Sequence, residues 1–189
     1  SSVNKSMQLI ETLKVLAARQ LPEVRAMRRH LHRHPELSFQ EYATMDYIAE
    51  KLSSFGIPFT KGVAGTGLVA LIEGQDPQSK ITALRADMDA LPILEENDVP
   101  YKSTNAGIMH ACGHDVHTSC LLGAARILYE LRDEWDGTIK LIFQPGEEKN
   151  PGGASLLIKE GVLENPAPNA AFRSKQNIHH TKYYCNVFG

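Results

Sequence analysis

The sequence predicts an α/β protein, a mixed central sheet with helices on both faces. Three observations carry the prediction. Helical periodicity runs from the start of the chain to Phe55; short runs rich in Val, Ile, Leu and Thr, bounded by Gly or turn residues, begin at Ile57; and from there strand-like and helix-like segments alternate. In sheets of this kind functional groups gather at strand ends.

Leu9, Ile10, Leu13, Leu16 and Ala17 recur at helical spacing, predicting a helix from Ser6 to Gln20. Pro22 suits the first position of a second helix, continued by Val24, Met27 and Leu31 and ending near His34-Pro35. A third helix, Gln40 to Phe55, carries Tyr42, Met45, Ile48, Ala49 and Leu52 on one face, with Gly56 as its stop. Ile57 to Lys61, Gly67 to Glu73 and Lys80 to Ala86 read as strands, the last two joined by a hairpin-type turn at Gln75 to Ser79. Leu91 to Ala106 is irregular. Asp115 to Leu131 is helical, and its small residues Gly123, Ala124 and Ala125 predict close packing on the sheet. Thr138 to Phe143 is apolar enough for a central strand, Gly152 to Glu160 forms a short helix, and from Ala171 the pattern is lost.

At 189 residues the chain can bury a sizeable core. Its net charge of −2, without a long basic run, gives no reason to expect nucleic acid or an anionic membrane as partner. The one dense basic stretch, Arg25 to His34, reads as a solvated surface ending in a turn. No stretch approaches a membrane span, and the start lacks the order of a signal peptide. The three cysteines, 112, 120 and 185, lack the spacing of a disulfide framework, so a reducing, cytoplasmic setting with thiols available to metal is expected. Cys120, on the apolar face of its helix, reads as a small core residue.

The chemistry concentrates in Met109-His-Ala-Cys112-Gly-His114-Asp115. Cys112 and His114 are one residue apart, so in a loop or extended backbone both side chains fall on one side and can converge on an ion. Glu147 and Glu148 end another strand-like run, and Asp87 and Asp89 end a third. One glutamate of the pair supplies a third ligand. Its neighbour, projecting the other way, acts as general base on the attacking water and passes the proton to the leaving amine. A like-charged neighbour and partial burial would raise that base's pKa toward working pH. Asp87 and Asp89 could orient a ligating imidazole or cap a turn. His110, Asp115 and His117 are candidates for substrate contacts or capping, Asp115 as a simple helix N-cap.

Four blocks, Arg28-Arg-His-Leu-His-Arg-His-Pro-Glu-Leu-Ser-Phe-Gln-Glu41, Leu84-Arg-Ala-Asp-Met-Asp-Ala-Leu-Pro-Ile93, Met109-His-Ala-Cys-Gly-His-Asp-Val-His117 and Phe143-Gln-Pro-Gly-Glu-Glu148, stand in an order and spacing that resemble the N-acyl-amino-acid amidohydrolases. That group includes hippurate and auxin-conjugate hydrolases and is related to aminoacylase and carboxypeptidase-type metalloenzymes. The resemblance implies a site for two divalent ions (Mn, Zn, Co or Ni) about 3.5–4 Å apart. It assigns Cys112, His114 and Glu148 as ligands and Glu147 as general base; Asp89, read from the residues as an orienting or structural group, is counted with Glu147 among the catalytic residues. The implied reaction is hydrolysis of the amide between an acyl group and an amino acid; a dipeptidase or carboxypeptidase of the same architecture is the alternative, as is a fragment that binds metal without turnover. A further histidine ligand is expected just after Ala171, and His179 is the nearest candidate, several residues late. By the same resemblance, residues 1–170 are the front part of a catalytic domain and residues 171–189 an atypical tail. The resemblance implies that the smaller α/β domain through which family members dimerise, and the remaining catalytic strands, are expected to be absent from these 189 residues.

Overall fold

A computed structural model describes residues 1–173. In chain order the elements are α1 (Ser2–Arg33), α2 (Tyr42–Phe55), β1 (Phe59–Val63), β2 (Gly67–Glu73), β3 (Ile81–Asp87), α3 (His114–Glu130), β4 (Thr138–Gln144), α4 (Gly153–Lys159) and β5 (Ala170–Arg173). The sheet order is β1-β2-β4-β3-β5. β1 and β2 run antiparallel to their neighbours, whereas β3, β4 and β5 are mutually parallel where they pair. The sheet is therefore mixed, as the sequence predicts.

Side chains alternate across it, as the two-residue strand period requires. Leu68, Ala70 and Ile72 of β2, Leu84 and Ala86 of β3, and Leu141 and Phe143 of β4 form the main core with Met27 of α1, Ile48 and Leu52 of α2, and Leu121, Leu122 and Leu128 of α3. Full burial of a side chain such as Phe143 or Leu122 contributes about 1.5–3 kcal/mol. Ala83 and Ile142 belong to a smaller cluster with Leu157 of α4 and Val162. Three helices thus cover one face and a short one the other. No helix among the described residues is long and apolar enough to cross a membrane.

Four expectations are corrected. The two front helices are one: Pro22 lies inside α1 and is solvent-exposed, so the backbone hydrogen bond it removes is lost on the wet side, where water takes the freed carbonyl. The turn at Gln75 to Ser79 does not make a hairpin, because β4 inserts between β2 and β3 and pairs with both. The patternless stretch opens with a strand, β5, which is exposed apart from Ala170 and so carries little apolar signature. Gly123 closes α3 against α1 rather than the sheet; a Cβ there would lie 2.6 Å from Cγ2 of Val24. Cys120 is half-buried.

Candidate metal centre

Parallel pairing sets the position of the site. Asp87, last residue of β3, is in register with Gln144, last residue of β4, so the segments that leave the two strands emerge side by side. One carries Asp87-Met88-Asp89 and the other Gly146-Glu147-Glu148. A two-bond bridge between Leu91 and Met109, both N···O distances 3.0 Å, then returns the chain to the same edge. Gly113 turns it into α3 with φ +81°, a conformation that favours glycine, and α3 begins at His114.

Two buried carboxylates hold the glutamate turn by its backbone. Glu41 accepts from the Gly146 N–H at 2.9 Å; Asp89 accepts from the N–H groups of Glu147 at 3.1 Å and Glu148 at 2.9 Å, and from the Ser38 hydroxyl at 2.7 Å. Gly146 is required here, since the ring of Phe39 occupies the space a Cβ would fill. Burial pushes Glu41 up to about 7. Burial would also raise Asp89, but its bonds to His114, Ser38 and the Glu148 N–H outweigh that and hold it at about 2.

Around this frame the ligand-type atoms of Cys112, His114 and Glu148 lie within 4.8 Å of one another. His114 is 4% exposed and donates Nδ1–H to the Asp89 carbonyl at 2.8 Å, which leaves Nε2 facing Glu148 at 3.6 Å, Asp87 at 3.5 Å and Glu147 at 3.8 Å. An imidazole tethered through one nitrogen presents the other to an ion in fixed orientation. Thiolate, imidazole and carboxylate are the donor set of Zn²⁺ and related divalent ions, so the residues fit a cation. Asp87, His114 and His117 form a second group of the same dimensions, all buried, sharing His114.

The electrostatics match an acid-rich cation pocket. Burial would lower His114, but Asp89 and Asp87 outweigh it and raise it to about 9. The hydrogen bond to Glu148 and burial push the Cys112 thiol up to about 12. Glu147 is raised by burial and by the charge of Glu148. Asp87, despite burial, is held below the usual carboxylate range by the 2.6 Å bond from His117 and the neighbouring charges of His114, His117 and Arg85.

Of the site residues picked out from sequence, Cys112, His114, Glu147, Glu148 and Asp89 are brought together; His179 lies outside the described residues. Asp115 is not the helix N-cap, a position Gly113 occupies; it is buried in α3's first turn and bonds Arg28 and His32 of α1. That also corrects the basic stretch: His32 is 3% exposed, and Met27 and Leu31 join the core. His110 is buried, its pKa lowered to about 4 by that burial. Sequence reasoning missed Glu41 and gave His117 a substrate contact or a capping role, whereas it is grouped with Asp87 and His114. The spacing of His117 three residues after His114, on one helix face, was the available signal.

Solved structures share this fold. A dinuclear metal-binding peptidase of the M20 family from Bacillus subtilis superposes with a TM-score of 0.77 at 40% identity, covering 87% of this chain and 44% of that one. Residues 83–181 match the model of Peptidase family M20/M25/M40, and the chain belongs to that family. It is 48% identical over 154 residues to an N-acyl-L-amino acid amidohydrolase of Geobacillus stearothermophilus, covering 82% of this chain and 41% of the relative. It is 46% identical over 159 residues to thermostable carboxypeptidase 2 of Saccharolobus solfataricus, covering 83% and 40%. The chain spans 36–41% of the length of such curated relatives.

Proposed function

We propose that the chain carries the first part of the catalytic site of a metal-dependent amidohydrolase that cleaves N-acyl amino acids. The observation that carries this reading is the convergence of Cys112, His114 and Glu148, with Glu147 beside them. In this assignment Cys112, His114 and Glu148 hold divalent ions, with Mn, Zn, Co and Ni as the candidates, and His179 is the candidate for a further ligand. Divalent ions held by these residues would supply Lewis-acid polarisation of the amide carbonyl and a more acidic water. Glu147 takes a proton from the attacking water and delivers it to the departing amine nitrogen. Its raised pKa suits both halves of that task. Asp89, its oxygens occupied by backbone and Ser38 donors, acts by fixing the glutamate turn and the ring of His114. Residues 1–170 are then the front part of a catalytic domain whose longer relatives continue beyond it.

The similarity to a carboxypeptidase favours a second reading, in which the scissile amide is a peptide bond with a free C-terminal residue. Assaying N-acyl amino acids against dipeptides separates the two.

The deciding experiment is metal content per chain on the purified 189-residue protein beside Cys112→Ala. About two ions, with loss in the variant, supports the two-ion assignment. Equal content in both proteins removes Cys112 from the ligand set, and no metal in either refers the site to a longer protein.

A further inference from the structure

The basic stretch that reads as a solvated surface contains a buried ionic chain. His32, on the last turn of α1, bonds Asp115 Oδ2 through Nδ1 at 2.8 Å and Glu95 Oε2 through Nε2 at 2.9 Å. Neither carboxylate has a proton to give at neutral pH. A neutral imidazole carries a single N–H, so both bonds are made only by the imidazolium. Arg28 donates to the same Asp115 oxygen at 2.9 Å, giving two cations against two carboxylates. The ring of Tyr101 stands edge-on to His32, with the guanidinium groups of Arg28 and Arg29 over its face, and shields the cluster from water.

The two carboxylates sit on opposite flanks of the ligand loop. Asp115 follows His114 directly, and its other oxygen accepts from the Val116 N–H at 3.0 Å, inside the first turn of α3. Glu95 lies in the segment between Asp89 and Met109, and its other oxygen accepts from the Ser103 N–H at 2.7 Å, closing that segment on itself. Both ends of the stretch holding Cys112 and His114 therefore meet on one imidazole. The pairing of α1 with α3 does not need this contact, because Met27 in the core and Val24 against Gly123 already hold the helices together.

We infer that His32 is a positioning residue for the metal centre, setting Cys112 and His114 opposite Glu148 by bridging the carboxylates of Glu95 and Asp115. The inference rests on Cys112, His114 and Glu148 being ligands, and it adds a part of the chain that no ligand assignment touches. Loss of His32 leaves two buried carboxylates without their shared cation, and the flanks of the loop move apart to reach water.

The test titrates the 189-residue chain with Co²⁺, following the thiolate-to-cobalt charge-transfer absorption that reports Cys112. His32→Ala should weaken binding about 10- to 100-fold, the range for groups that orient ligands. Added imidazole should restore it by filling the space left. His32→Gln, with a single amide donor group, should fall between and serves if His32→Ala does not fold. Met27→Ala, which opens a cavity on the same helix, should lower Tm and leave cobalt affinity unchanged. In metal-free protein labelled with ¹⁵N at histidine, the two ring N–H protons of His32 should appear downfield and be lost together in His32→Gln. Wild-type affinity in the His32 variants, or equal weakening by Met27→Ala, overturns the inference while the ligand assignment stands. A wild-type chain that takes up no Co²⁺ refers the site to a longer protein, as above, and overturns the inference for this chain.

Discussion

Binding of Zn²⁺ or Co²⁺ to the metal-free chain is expected to release about two protons near pH 7, one from Cys112 and one from His114. Both are protonated there, with pKa values raised to about 12 and about 9, and both must lose the proton to bind an ion. The sign follows directly. Below about pH 9 each unit of rising pH should strengthen apparent affinity by up to about 100-fold; above it His114 is already deprotonated and the gain falls to about 10-fold per unit. Calorimetric titrations in two buffers of different ionisation enthalpy count the protons. An affinity that does not change between pH 6 and 8 would remove both residues from the ligand set. The acids that raise His114 are the same groups that attract the cation, so a pocket that favours protons at rest exchanges them for metal on binding.

Glu147→Gln is expected to lower hydrolysis of an N-acyl amino acid by the Mn²⁺-loaded protein about 10²- to 10⁴-fold, with metal content unchanged. The substitution conserves shape, and the Asp89 carboxylate that holds this turn grips the backbone N–H, which glutamine retains. Glu148→Gln should behave differently and lose metal, since that side chain lies in the cluster with Cys112 and His114. Metal analysis and steady-state rates on the two variants therefore distinguish neighbours that composition alone cannot. Undiminished hydrolysis in Glu147→Gln with metal bound would assign the proton transfer to another group.

What was legible in the sequence had a local signature. The apolar runs of β2 and β4, the α2 stop at Gly56, and the pairs Cys112/His114 and Glu147/Glu148 at chain reversals each depend on spacing within a few residues. Strand order does not: a seven-residue connection between β2 and β3 is compatible with a hairpin, and only the apolar demand of β4 on both faces puts it between them. The continuity of α1 through Pro22 depends on which way that residue faces, which tertiary packing decides. The clamps on the site were hidden for the same reason. Glu41 reaches Gly146 across 105 positions, and His32 reaches Asp115 across 83. A histidine in a run of arginines has the composition of a surface, and nothing nearby reveals that two distant carboxylates will close over it.

The uneven burial of α1 gives one helix two stabilities. Over its first turns Val3, Met7, Ile10 and Val15 are exposed, while Met27, Leu31 and His32 near its end are buried. Backbone amides at the start therefore open by fraying, and those at the end open only when α3 and the core open with them. Along these 32 residues amide hydrogen exchange is expected to slow from near the free-peptide rate to the slowest class among the described residues. The ionic clamp is anchored in the slow end, so the exposed turns can unwind and re-form without disturbing the loop that carries Cys112 and His114.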